Sequence, residues 1–288
     1  MFKFILTALL IFCFTKTFAS AEALTIGLLP GGDPKATEKQ SFKLAEKIQA
    51  RIGRPVQIYI SKNYTGMIDA LKNKKVDFAV LSAMTYVVAE KEVPIKVLLK
   101  KTWNNSPYYY SALIARANGG IKKISDLKHK KIAFVDEKST SGYMYPEIHL
   151  RRQKINDSDF KSITFSGSHS ASIELLEKGE VDAIAVFADD ERGKAGAWTH
   201  FSQNKKFKPR LIWVSDPIPN DPIVVRQDFY DDNTKLTHEV MYTLIDIQNQ
   251  NQSELGEVLG TSDLMPATSR QYEPVRDVYK TFQGAIKL

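Results

Sequence analysis

Apolar positions along the chain follow two alternating rhythms from Leu24 onward. Short runs of strand character fall at 24–29, at Val56, Ile58 and Ile60, at 76–81, at 95–99 and at 109–115. Between them, Phe42, Leu44, Ala45 and Ile48 mark one face of a helix, and a shorter helix is predicted over 67–71. The second half repeats the scheme, with strands predicted at 131–135, 161–165, 181–187, 211–214 and 223–225. Two helices, near 234–248 and 271–285, close the chain. Strands alternating with helices predict an α/β protein with mostly parallel sheets flanked by helices.

The two halves echo one another. Leu71-Lys-Asn-Lys-Lys-Val-Asp-Phe-Ala-Val80 resembles Leu176-Glu-Lys-Gly-Glu-Val-Asp-Ala-Ile-Ala185, with the same spacing from leucine to a Val-Asp pair. Each segment reads as a helix end, a tight turn and a buried strand. Either the halves are related or two αβ units look alike by chance.

In open α/β sheets ligands sit beyond the carboxyl ends of the strands, so the residues that follow each run matter most. Ser61-Lys-Asn-Tyr-Thr65 follows one strand, Ser82-Ala-Met-Thr-Tyr86 another, and Ser166-Gly-Ser-His-Ser170 a third. Ala188-Asp-Asp190 follows the 181–187 run. Hydroxyls, tyrosines, a histidine and acids in register predict a polar binding cleft. Tyr64 and Tyr109 serve equally well as packed aromatics, His169 as a helix cap, and Asp189, Asp190 and Asp221 as loop or turn acids. Trp103, just before a loop, is undecided between cleft and packing.

The richest of these places is 131–146. Ile132, Phe134 and Val135 form a strand, Ser139-Thr-Ser-Gly142 follows, and an amphipathic run through Ile148 and Leu150 comes next. The first turn of a helix carries backbone N–H groups without partners and a positive dipole, so it attracts anions. Ser139, Thr140 and Ser141 are then either caps or neutral donors to such an anion. Gly142, lacking a Cβ, would let a ligand approach the backbone.

Composition narrows the class. Lys3, the apolar run 4–14 and Ala19-Ser20-Ala21 form a signal peptide over 1–21, too short in its apolar part to span a bilayer. Cys13, the one cysteine, lies inside it, so the exported chain has no disulfide or thiol chemistry. Of 40 basic residues, Lys3 and Lys16 leave with the leader, so 38 remain against 33 acidic. That modest, spread surplus favours an anionic ligand but supplies no basic block for nucleic acid. Neither His149 nor His169 has a metal-binding context, and no metal or other cofactor is expected. Ser139, His169 and Asp189 offer the residue types of a hydrolase triad, but no Gly-x-Ser-x-Gly elbow surrounds the serine.

Phe134-Val-Asp-Glu-Lys-Ser-Thr-Ser-Gly-Tyr-Met-Tyr-Pro146 resembles the signature of the periplasmic phosphonate-, phosphite- and phosphate-binding proteins of ABC transporters. Asn63-Tyr64, Tyr109-Tyr-Ser111, Ser166-Gly-Ser-His169, Gly179-Glu-Val-Asp-Ala183 and Ser215-Asp-Pro-Ile-Pro-Asn-Asp-Pro222 extend the likeness, in the family's order, over about 24–285. The resemblance implies a two-lobed type II binding-protein fold with the ligand cleft between the lobes. It places one lobe at 22–111 with 218–288 and the other at 112–217. It implies ligand contacts from Tyr64, Tyr109, Ser139, Thr140, Ser141, His169, Asp189 and Asp221. Asp189 stands where similar phosphonate-binding members carry glutamate. The implied protein is a periplasmic, monomeric, non-enzymatic receptor for a small phosphorus oxyanion. Its expected partner is a membrane ABC permease or, with the same fold, a membrane sensor kinase.

Overall fold

The computed structural model describes residues 22–29, 34–204, 206–250, 256 and 258–286. The expected signal peptide, 1–21, and residues 30–33 of the turn after the first strand lie outside them. The strands β1 (Leu24–Leu28), β2 (Val56–Ile60), β3 (Phe78–Val80) and β4 (Ile95–Thr102) fall in one sheet. The following strands β5 (Tyr108–Arg116), β6 (Lys131–Phe134), β7 (Ser162–Phe165), β8 (Ala183–Ala188), β9 (Pro209–Val214) and β10 (Ile218–Pro219) build a second sheet. The chain then returns to the first sheet with β11 (Pro222–Arg226) and β12 (Asp263–Pro266). This is the two-lobed type II arrangement, and the chain passes between the sheets twice, through 103–107 and through 220–221.

The helices that cover the sheets are α1 (Pro34–Ile52), α2 (Tyr64–Lys72), α3 (Ala83–Ala89), α4 (Tyr145–Arg152), α5 (His169–Lys178) and α6 (Ala197–Phe201). They continue with α7 (Gln227–Asp232), α8 (Thr234–Gln250) and α9 (Glu273–Ile286). Helix α3 and strand β12 have no counterpart in the hydrophobic pattern. Residues 83–89 are all buried, so helical and strand spacing look the same there.

The order of the first sheet is β12-β4-β11-β3-β1-β2, and that of the second is β10-β5-β8-β6-β7 with β9 also on β5. In each, three strands run parallel (β2, β1, β3 and β7, β6, β8) and an antiparallel strand follows, β11 or β5. The sheets are therefore mixed, with parallel strands at one side of each. Parallel central strands buried on both faces explain why the apolar runs look continuous rather than alternating.

The sequence echo corresponds to equivalent places in the two sheets. In the Val76-Asp77 pair, the Asp77 carboxylate accepts the Thr25 amide at the head of β1 (2.9 Å) and a guanidinium N–H of Arg226 on β11 (3.0 Å). In the Val181-Asp182 pair, the Asp182 carboxylate accepts the Lys131 amide at the head of β6 (2.9 Å) and a guanidinium N–H of Arg116 on β5 (3.1 Å). One carboxylate thus pins the parallel and antiparallel strands together in each sheet. Helices α2 and α5 precede these pairs, and both begin at the same distance from them. Tyr64 and His169 each occupy the first helical position, after the caps Asn63 and Ser168.

One of the hydrophobic clusters crosses between the sheets. Met144 and Ile148, around the start of α4, pack with Met84, Tyr272, Val275 and Phe282 of the first sheet's helices. Helix α9 is placed by an ion pair of Arg276 with Glu90 (2.6 Å), which ties it to the end of α3. Among the described residues no helix is long and apolar enough to cross a membrane.

Candidate functional site

All eight residues that the resemblance implies as ligand contacts line one cleft of about 1630 Å³ between the sheets. The strand ends bring helix starts to its wall. Helix α2 starts there with Asn63 capping the Gly66 amide, and α3 starts with Ser82 capping that of Thr85. Helix α5 starts there too, with Ser168 capping the Ala171 amide. The stretch after β6 forms a π-helical turn, Thr140–Met144, that leads into α4. Four element starts facing one space supply a positive field from backbone dipoles. The two lysines on the wall are already paired, Lys101 with Asp221 (3.1 Å) and Lys178 with Glu174.

The three hydroxyls of 139–141 are buried and individually positioned. Ser139 caps the turn, its Oγ accepting the Gly142 amide at 3.1 Å. Thr140 Oγ1 accepts the Met84 amide at the start of α3 at 2.8 Å, a bond from one sheet's helix to the other sheet's loop. Each oxygen spends acceptor capacity on a backbone amide, which leaves its O–H as a donor. The Ser141 carbonyl accepts the Ser111 hydroxyl at 2.7 Å, which fixes the turn against β5. Capping and donation were alternatives in the sequence; here the oxygens of Ser139 and Thr140 accept backbone amides, and that role does not use up their O–H groups.

The role expected of Gly142 changes. A Cβ there would sit 2.4 Å from a Val135 methyl and 2.8 Å from Ser139 Oγ. Glycine is needed so that the turn can pack on its own strand end, a local constraint rather than an opening to ligand.

Two tyrosines stand against this turn. Tyr64 is buried, and its phenol pKa is raised mainly by that burial, with the Asp221 charge adding and the neighbouring Ser139 hydroxyl opposing. The Tyr109 phenol is held well above its ordinary value by burial first and then by Asp221, while Thr140 and Ser141 lie within hydrogen-bonding reach and pull it back. Both phenols are therefore neutral donors at neutral pH. Together Tyr64, Tyr109, Ser139, Thr140, Ser141 and Asp221 form one cluster.

His169 and Asp189 stand apart as a second group. The His169 ring packs edge-on to Phe187 (5.0 Å), and its Nδ1 is buried with no hydrogen-bond partner among the described residues. Burial lowers its pKa to about 4, so it is neutral at pH 7. Asp189 bonds His200 Nε2 at 2.8 Å, not His169, so Ser139, His169 and Asp189 are not linked as a triad. Asp190 is a loop acid, accepting the amides of Arg192, Lys194 and Ala195. Trp103 lines the cleft edge-on to His200 (5.0 Å). Lys101 and His200 are among the cleft residues that no sequence pattern marked, and each gains its role only through a partner on another element, Asp221 and Asp189.

His169 makes stability depend on pH. Its folded pKa lies below the ordinary value of 6.5, so between pH 6.5 and 4 the unfolded chain binds the extra proton. That contribution to stability is present near pH 7 and declines as pH falls through this window. In melting curves of the ligand-free protein from pH 7 to 4, His169→Asn should flatten part of the acid-side slope.

Residues 26–272 match the family described as ABC transporter, phosphonate, periplasmic substrate-binding protein. The chain belongs to this family. It is 25% identical over 274 residues to the phosphonates-binding periplasmic protein of Escherichia coli (strain K12), covering 91% of this chain and 78% of that one. It is 21% identical over 279 residues to the probable ABC transporter phosphite binding protein PhnD1 of Prochlorococcus marinus (strain MIT 9301), covering 92% of this chain and 91% of that one. The fold matches the solved structure of that PhnD1 in complex with methylphosphonate at a TM-score of 0.78 and 19% identity, over 91% of this chain and 98% of that one. As a member of this family the chain is a periplasmic solute-binding protein of an ABC importer, a class of receptors rather than enzymes.

Proposed function

We propose that the cleft captures a phosphorus oxyanion (phosphonate, phosphite or phosphate) and that the loaded protein presents it to the membrane permease of an importer. The observation that carries this reading is the cluster of neutral donors, Tyr64 and Ser139, Thr140 and Ser141 at element starts with Tyr109 on β5, gathered around the acid Asp221. Neutral donors and dipoles stabilise an anion without fixing a bare cation in the site. His169, neutral with an unpartnered nitrogen, adds a further contact from the second sheet. The methylphosphonate complex of the similar PhnD1 supports the ligand class.

The lobes we propose are residues 22–111 with 218–288 and residues 112–217; the chain changes sheet a few residues from these boundaries, at 103–107 and 220–221, and we place the hinge there. Ligand touches Tyr64 from one lobe and 139–141 and His169 from the other, so it favours the closed state through contacts made only there. Small-angle scattering with and without saturating methylphosphonate should show a smaller radius of gyration when loaded. Equal radii would contradict the closure. The exported protein is expected to act as a monomer, recognised by the permease through its closed form.

A further inference from the structure

Three further acids line the cleft; Glu174 is paired with Lys178 and Glu177 accepts the Ser202 hydroxyl, while the surroundings of the third, Asp189, differ from those of Asp221. Asp189 follows β8 and has only 11% of its side chain exposed. In a cavity suited to an oxyanion, such a carboxylate is the natural seat for a cationic group on the ligand's substituent. Yet the seat is taken. His200 Nε2 lies 2.8 Å from Asp189 Oδ2, and since a carboxylate only accepts, this nitrogen carries the donated hydrogen.

The backbone builds the pair deliberately. The Asp189 amide donates to the Ala195 carbonyl (2.9 Å), and Gly196 lies so close to β8 that a Cβ would meet the Phe187 carbonyl at 2.5 Å. The amides of Thr199 and His200 then return to the Gly196 carbonyl, starting α6 and carrying the His200 ring over Asp189. Trp103 closes on the ring edge-on at 5.0 Å, and Phe187 packs beside it at 5.7 Å. The result is a carboxylate shielded by an imidazole and walled by aromatic rings.

We propose that His200 is a specificity residue: by holding Asp189 it withdraws the cleft's seat for a cation and directs the site to phosphorus oxyanions with an uncharged substituent. This rests on the oxyanion reading above. An ammonium reaching Asp189 must displace or share the Nε2–H bond. A methyl group or hydrogen has no such competitor.

The test is calorimetric titration of the wild type, His200→Ala and His200→Gln with methylphosphonate and 2-aminoethylphosphonate. The wild type should bind methylphosphonate at least about ten-fold more tightly, and His200→Ala should narrow or reverse that ratio by about ten-fold. Glutamine, whose amide still donates to Asp189, should stay nearer the wild type. A purely structural role for His200 would weaken both ligands together and leave the ratio alone, which overturns the proposal. So does a wild type that binds the aminoalkyl ligand as tightly as the methyl one, a result that needs no variant to fold. Folded wild type that binds neither ligand, nor phosphate or phosphite, overturns the oxyanion reading itself and this inference with it.

Discussion

Replacing Thr140 and Ser141 together by alanine is expected to weaken binding of the oxyanion by roughly 10²–10⁴-fold. On the proposed function each hydroxyl donates to a charged ligand, and such bonds contribute about 1.5–3 kcal/mol apiece. The two changes also reach the fold. Thr140 Oγ1 is the acceptor for the Met84 amide, and Met84 is fully buried, so the double variant leaves a buried donor unpaired. That costs about 1–3 kcal/mol of stability. A lowered melting temperature is therefore part of the expected result, and Thr140→Ser, which keeps the oxygen, separates the two effects. It should restore stability and most of the affinity. Calorimetry on the double variant with affinity unchanged would remove the π-turn from the site.

The second large effect concerns Asp221. A carboxylate beside a bound anion is repulsive unless it accepts a proton that the ligand retains. Its charge is offset by Lys101 at 3.1 Å, yet it still raises the phenol pKa values of Tyr64 and Tyr109, so its field reaches the centre of the cluster. Phosphate-type monoanions keep an O–H that can donate to Asp221; sulfate at neutral pH has none. Facing sulfate, Asp221 is left without a donor from the ligand, an unfavourable term of about 1–3 kcal/mol or more for a charged group. Asp221→Asn should therefore raise sulfate affinity by roughly five- to a hundred-fold, because an amide can donate to a fully ionised oxygen. It should also blunt the weakening that the wild type shows as the ligand loses its last proton, centred near pH 6 for phosphoesters. Titrations of both proteins across pH check this, and equal sulfate affinities would end the proton-reading role.

Much of this was legible in the chain because it is carried by local order. A strand, then hydroxyls, then a helix is a backbone arrangement that 132–150 dictates by itself, and all eight candidate residues reach one cleft. The echo between 71–80 and 176–185 was legible too, since Asp77 and Asp182 perform the same pinning in the two sheets. What escaped were pairings between distant elements. Lys101 meets Asp221 across 120 residues, and nothing in the polar pattern around Lys101 sets it apart from its neighbour Lys100. His200 belongs to a five-residue helix too short to show periodicity. The π-helical turn likewise leaves no mark, because five residues cannot distinguish its period from that of an α-helix. Gly142 was visible but misread: its small size serves Val135 behind it rather than a ligand in front.

The most direct test of the account is calorimetric titration of the wild-type exported protein at pH 7 with methylphosphonate, phosphite, phosphate and sulfate. Saturable binding of at least one of the phosphorus oxyanions at a single site is expected, with no competition from sulfate in large excess. A folded protein that binds none of the three, or that binds sulfate as tightly as it binds them, would contradict it.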